Sequence, residues 1–313
     1  MSSASSPPRS TLALIALVVG ALGIATSGIF VRLSETGPIA TAFWRGALAL
    51  PLLAVWALRS RPRRAASAGG APRDVRFFWA GFFFAGDLAL WHWSLLMTSV
   101  AASTLEANLA PIVVTLSAWL IWGERPRPRF LLALAMALSG VLLMVSPKLA
   151  AGRGAMRGDL LGLGTACFYA GYIVVVSRLR SAHDTGAVML RTTVVFTVLL
   201  MPLALTEKFL PDSRSGWADL VGLALIAQVF GQGLIAFALA HLPATFGSVG
   251  LYMQPIASAV YAWLLLGERL TPLQLVGAGV VLVAIALARA SRARRTPSVG
   301  LGSEGALARG DLE

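Results

Sequence analysis

Ten mostly apolar stretches follow one another along the chain, near 12–33, 38–58, 75–97, 102–122, 129–146, 158–178, 186–206, 216–240, 245–266 and 272–289. At about 1.5 Å per residue, a helix of about 17–25 residues crosses the hydrocarbon layer of a bilayer. Polar residues, Gly and Pro collect in the short gaps between stretches, so the pattern predicts an all-α integral membrane protein with ten transmembrane helices. The first stretch, with Arg9 as its basic flank, also has the outline of a signal peptide. Its length and its role as partner of the sixth stretch favour a permanent span.

The chain also repeats itself. Pro111-Ile112, Ala118-Trp119-Leu120, Gly123-Glu124-Arg125 and Pro128 recur as Pro255-Ile256, Ala262-Trp263-Leu264, Gly267-Glu268-Arg269 and Pro272, with identical spacing. Upstream, Arg32 and Arg45 correspond to Arg178 and Arg191, again with equal separation. Residues 12–146 and 158–289 are therefore read as two repeats of five helices each, flanked by tails (1–11 and 290–313) expected to be disordered and cytoplasmic. An odd number of helices per repeat inserts the second upside down relative to the first.

The duplicated pattern, the ten helices and the Gly-Glu-Arg turns resemble the drug/metabolite transporter superfamily, specifically its EamA-type families. The run from Gly86-Asp87 through Trp91-His92-Trp93-Ser94 to Asn108-Leu109-Ala110-Pro111 is similar to a bacterial subgroup. The resemblance implies two inverted five-helix repeats and secondary transport of a small metabolite, directed outward. Related members carry amino acids, sugars, nucleotide sugars and other metabolites, so the resemblance leaves the substrate open.

Composition agrees with a membrane location. The chain is 57% hydrophobic and 13% charged, with a mean hydropathy of +0.76. A soluble domain has no interior large enough for so much apolar surface. The net charge of +12 does not signal nucleic acid, because the arginines lie between and beyond the apolar stretches. With the N-terminus inside, the inner segments hold more than twice as many Lys and Arg as the outer ones, which predicts two cytoplasmic termini in the cytoplasmic (inner) membrane. Three histidines, one cysteine (Cys167) and no metal-spaced cluster argue against a metal site. No nucleotide-binding motif is present, so neither a cofactor nor direct ATP drive is expected. An integral membrane enzyme and a lipid-carrier flippase are the alternative readings.

Several residues are candidates for chemistry. Arg45, Asp87, Glu106 and Arg191 interrupt apolar stretches, with His92 close by. A charge near the bilayer centre costs at least about 2.5–3.5 kcal/mol, so each needs a partner, water or a cavity. At about 1.5 Å per residue, Arg45 lies roughly 20 Å and Asp87 roughly 18 Å from the inner ends of their helices. The two are expected to meet, and Glu106 and His92 to form a second polar cluster nearer the outer face. Sealed ion pairs that fix helix packing are the competing reading.

Asp87, Trp91 and Ser94 share a helix face, with His92 turned away. Gln228 and Gln232, Ser248 and Tyr252, and Tyr169 and Tyr172 form further same-face pairs, and Asn108 and Gln254 add amides. Arg45 and Arg191 are expected to attract an anionic group of the substrate, the aromatic residues to hold its body, and Asp87 or Glu106 to carry a proton. Pro111 and Pro255 are expected inside their helices, as bends beside the path. The Gly-Glu-Arg turns are expected to end helices structurally, a gate latch being the alternative. Gly158, Gly162, Ala166 and Ala170 form a small-residue stripe expected to serve close packing.

The inverted arrangement makes a direct prediction. A cysteine at Glu124 should react with an impermeant maleimide only from the cytoplasm, and one at Glu268 only from outside. Reaction of both from one side contradicts the inversion.

Overall fold

A computed structural model describes residues 9–59, 74–122, 128–149, 153–241 and 244–292. The terminal tails, the arginine-rich segment 61–73 and the Gly123-Glu124-Arg125 turn lie outside those residues. Among the described residues every regular element is helical: α1 (Arg9–Ala25), α2 (Ser27–Leu33), α3 (Pro38–Arg59), α4 (Arg76–Met97), α5 (Val100–Ala107), α6 (Ala110–Trp122), α7 (Pro128–Leu149), α8 (Arg153–Ala182), α9 (Thr185–Ala204), α10 (Arg214–Gly222), α11 (Gln232–His241), α12 (Ala244–Leu266) and α13 (Pro272–Arg292). A π-helical stretch, Leu223–Gly231, joins α10 to α11. Joined at their breaks, these elements make ten segments at the predicted places. Five are long and apolar enough to cross a membrane by length and composition: Thr11–Leu33, Pro38–Arg59, Met156–Val176, Thr185–Ala204 and Arg214–Ile235. Shorter apolar helices include Pro128–Leu143 and Pro272–Leu287.

Apolar side chains cover the outward faces, with Leu120 79% and Leu265 66% exposed. Water would penalise such a surface, and lipid accepts it. Inside, small residues let the helices close on one another. A Cβ at Gly46 of α3 would overlap Thr197 and the Phe196 ring of α9. The stripe on α8 also serves packing. Gly158 lies against Met97 and Thr98, Gly162 against Glu106, and Ala166 and Ala170 are buried.

The contacts have an exchange symmetry. Take α1–α2, α3, α4, α5–α6 and α7 as one set of five, and α8, α9, α10–α11, α12 and α13 as the other. The pairs α3–α9, α7–α13 and α5–α12 map onto themselves when the sets are swapped. The packing of α1 on α11 maps onto that of α8 on α4, and α1 on α12 onto α8 on α5.

At one end of the bundle, carboxylates cap helices of the opposite set. Glu207 accepts the Ile39 and Ala40 N–H groups, at 2.8 and 3.2 Å, at the start of α3. Glu35 accepts the Asp212 and Ser213 N–H groups, at 2.8 and 3.0 Å, just before α10. Glu268 accepts the Val100 N–H at 3.0 Å, at the start of α5, and pairs with Arg32 at 3.2 Å. An unpaired helix N-terminus is electropositive, which favours these acceptors. Gly37 and Gly216 leave room for two of them, since a Cβ at either would meet Glu207 or Glu35. The Ser213 hydroxyl and its backbone N–H hold the Glu35 carboxyl below the usual carboxylate range. That contribution is present at neutral pH and is lost as pH falls through the depressed value.

Gly267 has φ +67° and directly follows α12, and Pro272 and Pro128 open α13 and α7. The two prolines expected inside helices differ. Pro255 is interior to α12. Pro111 is the second residue of α6, because the helix breaks first at Asn108–Leu109. Its missing N–H therefore falls among donors that a helix start leaves unpaired in any case. Asn108 stabilises the break by donating its side-chain amide to the Thr104 carbonyl at 2.8 Å.

Gly46→Val should destabilise the protein by about 1–3 kcal/mol through overpacking. Thermal melting in detergent measures this, and a melting temperature unchanged from wild type contradicts the close α3–α9 approach.

Candidate functional site

Midway along the bundle a partly open cavity contains about 620 Å³ of space not filled by protein atoms. It lies between the two sets of helices. The first set supplies Ile24, Ser27, Arg45, Phe84, Asp87, Leu88, Trp91, Thr104, Ala107 and Asn108; the second supplies Thr165, Tyr169, Gln232, Ile235 and Gln254. An apolar and aromatic wall with a few fixed polar groups is the usual form of a small-molecule site.

Arg45 sits seven residues into α3 and is 3% exposed. Its Nε–H donates to Oε1 of Gln228 at 2.9 Å, and the Gln228 amide donates in turn to the Thr193 hydroxyl at 3.5 Å. Asp87 lines the same cavity from α4. The two charges interact across it, yet among the described residues no salt bridge or hydrogen bond joins them. An arginine and a carboxylate thus face one space without closing on each other.

Aromatic packing fixes one wall. Phe84 stacks on Tyr172 with ring centroids 4.6 Å apart, Tyr172 stacks on Tyr169 at 6.0 Å, and Phe84 meets Phe196 edge-on at 5.2 Å. Tyr172 therefore backs the wall from behind Phe84 and Tyr169. Such stacked and edge-on pairs restrict ring rotation, so the wall keeps its shape.

The structure brings together Arg45, Asp87, Trp91, Asn108, Tyr169, Gln232 and Gln254 from among the candidates. Gln228 stands one layer behind, on Arg45. Other expectations are corrected by where the residues lie. Arg191 is exposed on the outer side of α9, its guanidinium over the Phe77 ring at 4.8 Å. Its helix face points away from the cavity although its spacing in the repeat matches that of Arg45. His92 is fully buried and its Nδ1 lies 3.0 Å from the Pro38 carbonyl. A carbonyl only accepts, so Nδ1 carries the proton and His92 fastens α4 to the start of α3. Glu106 is buried on α5 facing Gly162 of α8, and it does not cluster with His92. Backbone geometry separates them, because Glu106 follows the loop at Thr98–Ser99 on a new helix. The side chains of Tyr252 and Pro111 lie outside the described residues.

Ser27, Thr104 and Thr165 line the cavity and were not candidates from sequence. Thr165 had a legible signal, since it precedes Tyr169 by one turn on the same face of α8. Ser27 had none, because it faces inward only through the break between α1 and α2. At the other end of the bundle, Arg76 forks onto Asp74 at 2.8 and 2.6 Å, and His183 approaches it at 3.4 Å. The Arg76 guanidinium holds the Asp74 carboxyl down at about 2.

A multi-pass helical protein that encloses a charged cavity between two sets of helices has the architecture of a membrane transporter. The sequence profile of the EamA-like transporter family matches residues 11–146 and again residues 156–290. The chain belongs to that family, and the family's name and those of the relatives below are names of transporters and exporters. It is 27% identical over 209 residues to the pseudopaline exporter CntI of Pseudomonas aeruginosa (strain UCBPP-PA14), covering 66% of this chain and 72% of that one. An uncharacterized transporter of Archaeoglobus fulgidus is 26% identical over 266 residues, covering 78% and 86%. The threonine/homoserine exporter RhtA of Escherichia coli (strain K12) is 26% identical over 133 residues, covering 41% and 44%. A crystal structure with 17% identity superposes with a TM-score of 0.60 over 92% of this chain and 99% of that one, which establishes likeness of fold.

Arg45→Ala strands the buried Gln228 acceptor and leaves Asp87 without its counter-charge. Leaving a buried polar group without its partner costs about 1–3 kcal/mol, and more beside a charge. Folded protein recovered by gel filtration should fall sharply, and Arg45→Gln combined with Asp87→Asn should recover part of it. Normal yield and stability for Arg45→Ala contradict the role of the cavity charges in the fold.

Proposed function

We propose that this chain is a secondary transporter of the cytoplasmic membrane that exports a small zwitterionic metabolite, such as an amino acid or a related amphipathic compound, by alternating access. One observation carries the reading. Opposite charges, Arg45 and Asp87, face a single cavity midway through the bundle without pairing. Arg45 receives an anionic group of the substrate, Asp87 a cationic one, and Trp91, Phe84 and Tyr169 the apolar body. The names of the relatives, one exporting pseudopaline and another threonine and homoserine, support outward movement of small metabolites.

The two sets of five helices act as inverted repeats, residues 12–146 and 158–289. The odd helix number, the exchange symmetry of the contacts and the double profile match support this. The excess of Lys and Arg on one side supports cytoplasmic termini and a capped end that faces outside. The break at Asn108–Leu109 and the interior Pro255 serve as the points where each half flexes. Asp87 is the proposed proton carrier. It is an intramembrane carboxylate with access to the cavity, a placement shared by proton relays. Glu106 is the second choice, since it lies behind the cavity wall.

Transport is tested in liposomes loaded with labelled neutral amino acids, threonine and homoserine among them, or with pseudopaline, under an imposed pH gradient. Wild type should drive net movement of at least one class. Asp87→Asn should abolish gradient-driven net movement while retaining exchange of labelled substrate. Unchanged net transport by Asp87→Asn overturns the coupling role. Absence of movement for every compound, with chemical turnover instead, overturns transport in favour of an enzyme.

A further inference from the structure

The connection between Arg45 and Gln228 crosses from one half of the molecule to the other, and it has a consequence for what the cavity binds. A guanidinium offers two edges on which a carboxylate can be held by parallel N–H groups: the side edge, Nε with one Nη, and the end edge, Nη1 with Nη2. In Arg45 the Nε–H is already donated to Gln228 at 2.9 Å. The end edge alone remains for bidentate binding. Among the described residues its donors make no hydrogen bond, and Arg45 borders the cavity.

Gln228 itself is 1% exposed and is not a cavity residue. It is held from behind by Thr193 of α9 at 3.5 Å. It also lies within the π-helical stretch Leu223–Gly231, whose wider turn sets its direction. That wide turn is accommodated because α1 meets it with glycine. A Cβ at Gly20 would overlap the Gly231 carbonyl, and a Cβ at Gly231 would overlap Ile24. The local geometry is therefore built around a buried residue that does not line the cavity.

We propose that Gln228 is the positioning residue of a carboxylate subsite, fixing Arg45 so that its Nη1–Nη2 edge receives a substrate carboxylate end-on. This rests on the transport reading of the same cavity, and it adds the group recognised and the residue that orients its receptor. Because Gln228 belongs to the second set of helices and Arg45 to the first, the subsite is complete only while the two sets are in this relation.

The test measures binding by purified protein in detergent, apart from transport. The probes are the twenty amino acids, simple monocarboxylates, and the amines that correspond to the bound amino acids without their carboxylate. Gln228→Leu should weaken binding of carboxylate probes by about tenfold, the scale of one lost geometric constraint on a charge-assisted hydrogen bond. Binding of the carboxylate-free amines should stay near wild type, while the melting temperature without ligand falls because the Arg45 Nε–H loses its acceptor. Gln228→Glu, which places a competing carboxylate on Arg45, should abolish binding of the acids and spare the amines. Equal loss of acids and amines marks a merely structural residue and overturns the proposal. So does unaltered acid binding in both variants, or failure of wild type to bind any carboxylate in the set. Carboxylate binding without uptake in liposomes overturns the transport reading and leaves the subsite standing.

Discussion

A permanent cation at the middle of a bilayer has to be answered within the protein, and Arg45 is where this chain meets that constraint. Lipid offers it nothing, so the helices around it are arranged to do so. Gln228 takes one donor, Asp87 supplies a counter-charge across an open space, and the aromatic stack of Phe84, Tyr172 and Tyr169 walls that space on one side. The cavity exists because the arginine and the carboxylate do not close on each other. Direct pairing would satisfy both groups and close that space.

The same constraint explains the capped end. Helix starts carry unpaired N–H groups that a membrane protein must cover. Here Glu35, Glu207 and Glu268 cover starts that belong to the other half of the chain. Local caps, such as Ser99 for α5 and Asp184 for α9, supplement them. Cross-capping makes helix termination and the docking of the halves one event. Glu268 of the second Gly-Glu-Arg turn reaches Arg32 and the Val100 N–H, so a turn that ends one helix also ties the two halves together.

Much of this architecture was legible from residue order, and the reason is physical. Length and hydropathy decide which segments cross a membrane, so all ten stretches fall within a few residues of observed helices. Gly267 and Pro272 were legible because a left-handed C-terminal residue and a first-turn proline are local demands. The cavity was legible where depth and face were enough, as for Arg45, Asp87 and Trp91. What escaped depends on rotation and on neighbours. Arg191 matches Arg45 in spacing but faces outward, since one set of helices is not a copy of the other in side-chain direction. The π-helical stretch has no mark in an apolar sequence such as Leu223–Gly231. The breaks at Thr26 and Asn108 replace simple spans because nearby hydroxyl and amide groups satisfy the freed carbonyls, with Thr26 donating to Gly23 and Ser258 to Ala25.

The π-helical stretch also governs which changes of length the chain can accept. Each residue advances an α-helix by about 100°, and a π turn absorbs one residue more than an α turn would. Removing a single residue between Leu223 and Gly231 would let the segment relax to an unbroken α-helix, and Gln232 and Ile235 beyond it would keep their face. The same deletion inside an ordinary α-helix would turn everything beyond it by roughly a quarter turn. The wide turn is therefore a place where this span can lose a residue without turning the rest. The change would fall on Gln228, which the wide turn aims at Arg45, and on the glycine seat of α1 that meets the turn.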